Sequence, residues 1–210
     1  MKKNSLICIT LLLVVFLSAC VSPKAAPEIK HYSLSTQNNN QSKNQEKNQP
    51  QDQNNKTILR IVPSSIETQY SGKSFVYHTS DAQFINDPYN QFLVAPDLQI
   101  TNVISTYLTG SVSALVISGD SLLLANYALQ LKIKALYADY QNKSQPIAIT
   151  TLQADIYKIK NGVTTFVTSK TFEQKQTITA NNPDDLIKAY DHNFENISTN
   201  LSIFVNNAID

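Results

Sequence analysis

The stretch IAITTLQADIYKIKNGVTTFVTSKTFEQKQT, residues 147–177, decides the fold. Asn161-Gly162 separates two long β-patterned segments, 147–160 and 163–177. That dipeptide is the strongest short hairpin signal, because a type I′ turn needs positive φ at both central residues. A two-residue loop also fixes the register. It pairs Tyr157 with Phe166, Asp155 with Thr168 and Gln153 with Lys170. On the opposite face it sets Ile156 beside Val167 and Leu152 beside Thr171, with Ala154 between, and this face is small and apolar enough to lie under a helix. The first face carries Tyr157 and Phe166 above polar neighbours, with Phe172 further along. Aromatic anchors amid polar residues are what interfaces select, so Tyr157, Phe166 and Phe172 form a candidate partner-binding or self-association surface. The competing reading has these rings only stabilising the sheet or lying under a helix.

The helix that covers the hairpin follows it directly. Asn182 suits a cap, Pro183 the first helical position, and Asp184 and Asp185 the positive end of the helix. Leu186, Tyr190, Phe194, Ile197, Leu201, Phe204, Val205 and Ala208 recur at three- and four-residue spacings, giving one long apolar stripe that needs a sheet to bury it. Upstream, Tyr127 to Tyr137 alternates, with Leu129, Leu131, Ile133, Ala135 and Tyr137 expected on the core face and Ala128, Gln130, Lys132, Lys134 and Leu136 opposite. Val112–Ile117 is apolar enough for a buried strand, and Gly119-Asp120 turns the chain after it. A first helix is expected from Pro96, with Ile100, Val103, Ile104, Tyr107 and Leu108 on one face and Gly110 as its stop. Before it, 75–78 and 82–85 read as short strands around Thr79-Ser80-Asp81, and 58–62 as a strand ended by Pro63. This pattern by itself indicates an α+β domain.

The N-terminus differs in kind. Lys2 and Lys3 precede an uncharged apolar run, Leu6 to Leu17, the layout of a secretory signal. The run is short for a membrane span, which needs about 20 apolar residues. Cys20 directly follows Ser18-Ala19, as in the lipobox of bacterial lipoproteins. That resemblance implies that residues 1–19 are a cleaved lipoprotein signal peptide and that Cys20 carries a thioether-linked diacylglycerol and an N-acyl chain, enough for stable anchoring. Residues 20–35 then hold the lipidated N-terminus and a possible strand around Tyr32 and Leu34. Residues 36–56 are nearly all Asn, Gln, Ser, Lys, Asp and Glu, with nothing to offset the entropy of ordering, and read as a disordered linker.

Composition excludes several classes. Two of the 17 basic residues leave with residues 1–19, so 15 remain against 16 acidic ones, and this balance leaves no electrostatic footprint for nucleic acid. Cys8 leaves too, so the lipidated Cys20 is the only cysteine left, which rules out a disulfide and a thiolate nucleophile. His31, His78 and His192 lie in separate segments without a HExxH pair, and no metal site is expected. Gly110-Ser111 and Gly119-Asp120-Ser121 complete no G-x-S-x-G, and no phosphate-cradling glycine motif is present. Asp184 and Asp185 are explained by the helix dipole. The expectation is a protein that is not an enzyme and has no cofactor beyond the covalent lipid.

Taken in order, the segments resemble the ABC-type transport auxiliary lipoprotein family. The resemblance rests on Cys20, the strand His31-Tyr32-Ser33-Leu34, the strand Ile58 to Val62 ended by Pro63, Phe75-Val76-Tyr77, and Tyr89-Asn90-Gln91-Phe92-Leu93-Val94-Ala95-Pro96 leading into a helix that ends Tyr107-Leu108. Family members usually have tryptophan where this chain reads Gln91-Phe92-Leu93, and 36–56 is longer than the family pattern. The resemblance implies that 57–210 is one domain, an α/β sandwich with a mixed, largely antiparallel sheet and two main helices packed on it. It also implies a non-catalytic accessory role in intermembrane phospholipid transport, with a mammalian-cell-entry-domain protein of an ABC system as partner, a membrane contact through the lipid, and homo-oligomers as a further option. Anchoring in the outer membrane, facing the periplasm, is implied as well, since in Gram-negative lipoproteins an aspartate after the cysteine commonly retains the protein at the inner membrane and this chain has Val21. The alternative role is an assembly lipoprotein for lipopolysaccharide or outer-membrane barrels.

Overall fold

The computed structural model describes residues 27–35, 57–119 and 124–209. Cys20, the signal segment and the 36–56 linker lie outside the described residues. One mixed sheet carries two helices on one face, so the α/β sandwich expected from the resemblance is the fold observed.

The strand β7 (Tyr127–Asp139) is the spine. Along one side runs β8 (Ile147–Lys160), antiparallel, and beyond it β9 (Val163–Thr177), also antiparallel. Three short strands share the other side of β7 end to end, all parallel to it: β2 (Ile58–Ile61), β3 (Ser65–Ile66) and β4 (Ser74–Ser80). Outside β2 lies β6 (Leu115–Ser118), parallel; outside β4 lies β5 (Gln83–Phe92), antiparallel; and β1 (Lys30–Tyr32) pairs parallel with the end of β5. The helices α1 (Pro96–Leu108) and α2 (Pro183–Ile209) pack on each other, and α2 lies along β8 and β9.

Both helices form where the sequence places them. Asn182 Oδ1 accepts the Asp185 N–H at 2.9 Å, and Leu186, Tyr190, Phe194, Ile197, Leu201 and Val205 are buried against the sheet. Asn193, Ser198 and Thr150 are polar residues buried in this interface. The Asn193 amide N–H₂ donates to the Ala148 carbonyl at 3.0 Å and the Thr150 hydroxyl at 3.3 Å, which offsets part of the cost of burial, while its side-chain oxygen is buried without a partner among the described residues.

Two β-bulges revise the expected faces. In β7 the pairing with β8 shifts between Ile133 and Ala135, so Leu129, Leu131 and Ile133 face the helices, but beyond Lys134 it is Leu136 and Ala138 that do. An extra residue reverses the alternation of everything after it. Tyr137, expected in the core, therefore turns to the opposite face, where it stacks on Tyr70 at 6.0 Å and meets His78 and Phe84 edge-on at 5.7 and 5.4 Å. Asn161 and Gly162 have φ of 52° and 77°, as the turn requires, and Tyr157 pairs with Phe166. The register then shifts at Val167, so that Asp155 faces Ser169 rather than Thr168, Gln153 faces Thr171 rather than Lys170, and Leu152 faces Phe172.

Two strand expectations also change. Val112–Ile117 is not a buried strand: Val112 and Ala114 are buried ahead of it, while β6 lies at the border of the sheet with Leu115 exposed, because it pairs only with β2. β5 runs well past residue 85. Its ladder with β4 skips from Asn86 to Gln91, and the Asp87 carboxylate closes the excursion by accepting from the backbone N–H groups of Tyr89 and Asn90 at 2.8 and 2.9 Å, the Asn90 amide at 2.8 Å and the Tyr77 hydroxyl at 2.6 Å. Pro88, which lacks an N–H, fits in this unpaired loop-out.

The strand β1 is held beyond its three residues. The Leu34 N–H donates to Gln99 Oε1 at 2.8 Å, and the Ser35 N–H and hydroxyl donate to the Asp191 carboxylate at 2.8 and 2.6 Å. Burial pushes the Asp191 carboxyl above its ordinary range, outweighing these two bonds.

Candidate functional site: the open sheet face at the hairpin tip

The face of the sheet turned away from the helices is apolar at one end. Leu59 and Ile61 point into the core, so Ile58 and Arg60 on the same strand point outward. Register then draws a row across five strands, from Ile117 to Arg60, Ala128, Tyr157 and Phe166. The next row outward runs from Leu115 to Ile58, through Asn126, to Ile159 and Thr164. Asn126 ties that row together: its side-chain oxygen accepts the Ile58 N–H at 2.8 Å, its N–H donates to the Ile58 carbonyl at 2.9 Å, and its carbonyl accepts the Ile159 N–H at 2.7 Å.

Tyr157 and Phe166 meet edge-on at 5.8 Å, and Phe166 is 61% exposed. Around the tip Val163 and Leu124 are also exposed. Toward the middle of the face the chemistry changes to Gln130, Asp155 and Ser169. The Asp155 carboxylate accepts from the Ser169 hydroxyl and from the Gln153 amide at 3.0 Å. Beyond it Lys132 and Lys134 both reach Glu67 at 3.1 Å, and their hydrogen bonds hold the Glu67 carboxyl below its usual range. An aromatic and aliphatic centre with a hydrogen-bonded polar border is the layout of a protein interface.

The structure brings Tyr157 and Phe166 together on this face and removes Phe172 from it. Phe172 is 6% exposed, lies opposite Leu152 on the helix side, and packs edge-on against Phe204 at 5.9 Å. The bulge at Val167 is the cause, since it moves every later residue of β9 by one place. Sequence reasoning missed Ile58, Leu115, Ile117 and Ile159 as neighbours of the pair. Parallel pairing between β2 and β6, more than fifty residues apart in the chain, carries no local signal.

Further features of the described residues lie outside the hairpin tip. No group of three or more His, Cys, Asp or Glu among them is arranged to hold a metal ion. His78 lies 3.5 Å from Asp139 and stacks on Phe84 at 4.4 Å, a structural setting. A cleft of about 310 Å³ lies beside Thr179, Asp185, Lys188 and His192. No helix among the described residues is long and apolar enough to cross a membrane.

No protein-family model matches the chain, and no curated protein matches it. Solved structures do resemble it. One uncharacterized protein superposes with a TM-score of 0.64 at 14% identity, covering 85% of this chain and 99% of its own. Protein XCC0632 from Xanthomonas campestris, of the DUF330 family, superposes with a TM-score of 0.61 at 13% identity, over 70% of this chain and 82% of its own. At these identities the likeness is one of fold.

Proposed function

We propose that this chain is a non-catalytic lipoprotein subunit of an ABC and mammalian-cell-entry-type system that moves phospholipid between membranes. It is anchored by lipid on Cys20 in the outer membrane, faces the periplasm, and docks its protein partner with the Tyr157–Phe166 face. The family resemblance motivates the role, and the fold agrees with what that resemblance implies.

One observation carries the docking reading. The Tyr157–Phe166 patch sits at the hairpin tip, whereas the chain from Cys20 enters the body at β1, beside Asn90 to Phe92. Counting register from β1 through β5, β4 and β7 puts β1 level with Ala135 and the aromatic pair level with Ala128, roughly 23 Å apart along the strand direction at about 3.3 Å per residue. An anchored body therefore presents its exposed aromatic pair on the side away from the chain that tethers it.

The test is the double substitution Tyr157→Ser, Phe166→Ser in the full chain, followed by co-purification. The expected result is loss of a mammalian-cell-entry-domain partner with the unfolding temperature nearly unchanged. Undiminished capture of that partner overturns the docking face. Capture of an outer-membrane β-barrel in its place favours the assembly-lipoprotein role, and turnover of a lipid or cell-wall substrate by the body overturns the non-catalytic one.

A further inference from the structure

The opposite end of the molecule has an exposed apolar edge of its own. β4 covers one side of β5, but β1 covers the other only at Asn90 to Phe92, so among the described residues 83–89 has no strand on its outer side. Phe84, Ile85 and Tyr89 are each close to half exposed there, and Ile29, which precedes Lys30 beside Asn90, extends the same edge.

What covers this edge is set by the chain that arrives at it. Eight residues lie between Cys20 and Ile29, and a fully extended chain over that span reaches at most about 30 Å. With its acyl groups in a bilayer, the β1–β5 edge is the part of the body held nearest the lipid. We infer that this edge, through Ile29, Ile85 and Tyr89, rests on the phospholipid surface in which the protein is anchored, at headgroup depth. The inference depends on the lipid anchor at Cys20 and on no part of the transport role.

Three further observations agree with a lipid surface. Pro88 has no N–H to donate, and the Asp87 carboxylate already takes the N–H groups of Tyr89 and Asn90, so the stretch from Pro88 to Asn90 is a poor template for an added strand. A lipid surface asks for no backbone pairing. Tyr89 offers an apolar ring with a polar tip, the type of side chain enriched at membrane–water interfaces. Glu28 and Lys30 cancel and Asp81 and Asp87 add only negative charge beside the edge, so the contact is apolar burial and not adsorption to anionic headgroups, and it should survive high salt.

The experiment uses the lipidated full-length protein in vesicles of phosphatidylethanolamine and phosphatidylglycerol. Lipidation consumes the Cys20 thiol and Cys8 leaves with the signal, so an introduced cysteine is the sole target for an environment-sensitive fluorophore. Ile85→Cys and Tyr89→Cys report the edge, and Thr164→Cys reports the hairpin tip. The expected result is blue-shifted emission, quenched by nitroxide-labelled lipid, at 85 and 89 in low and high salt, with water-like emission at 164. Water-like emission at both edge sites, or the stronger shift at 164, overturns the seating. Failure to incorporate palmitate overturns the anchor itself, so the two failures read differently.

Discussion

At the scale of single residues, Asp87 does the most for the least surface. Burial alone would raise its carboxyl, but hydrogen bonds from Tyr77, Asn90 and the backbone N–H groups of Tyr89 and Asn90 outweigh this and hold it below the ordinary range. Burial, and then the carboxylate, pushes the Tyr77 hydroxyl up in turn, so it stays protonated and donates. An acid whose folded value is depressed stabilises the fold above its unfolded value, about 3.9 for Asp, and loses that contribution as pH falls through the folded value. Asp87→Asn replaces an acceptor with an amide whose N–H₂ faces donors. It is expected to lower stability by about 1.5–3 kcal/mol at pH 7. Urea unfolding of both proteins at descending pH checks the sign: the gap should narrow as the carboxylate of the unsubstituted protein protonates, and a gap constant down to strongly acid pH would show that the charge is not what Asp87 contributes.

At the scale of elements, the β8–β9 hairpin separates what a sequence states from what it conceals. The turn was legible because Asn161-Gly162 meets a specific backbone demand, and α2 was legible because its apolar stripe and its Asn182 cap are periodic and local. The bulges were not. One extra residue at Lys134 or Val167 has no compositional mark, yet it inverts the face of Tyr137 and Phe172. Two of the three candidate residues lie on the expected face for the same reason: Tyr157 and Phe166 lie between the turn and the bulge, and Phe172 lies beyond it. The two phenylalanines of β9 should accordingly behave as opposites. Phe172→Ala leaves a hole beneath Phe204 and is expected to cost about 3–5 kcal/mol. Phe166→Ser removes an exposed ring and should stay within about 0.5 kcal/mol. Thermal unfolding of the two single variants checks the register directly, since equal losses would place both rings in the core.

At the scale of the whole molecule, the roles proposed for the β1 end and the hairpin-tip end differ, and location is separable from folding. The core is built from the described body, in which β1, Leu34 and Ser35 dock on β5, Gln99 and Asp191 without any residue near Cys20. Cys20→Ala should therefore yield an unprocessed or mislocalised protein whose body still unfolds cooperatively near the temperature of the unsubstituted one. A variant that stayed in the outer-membrane fraction and labelled with palmitate would refute the anchor. Val21→Asp addresses the membrane and not the anchor: if the residue after the lipidated cysteine decides retention, this single carboxylate should move the protein from the outer to the inner membrane fraction with lipidation intact. Because β1 stays docked in that variant, the eight residues between Cys20 and Ile29 gain a charge but keep their length, and only the bilayer beneath them should differ. Density-gradient fractionation reads the shift, and an unaltered distribution counts against the proposed outer-membrane anchoring.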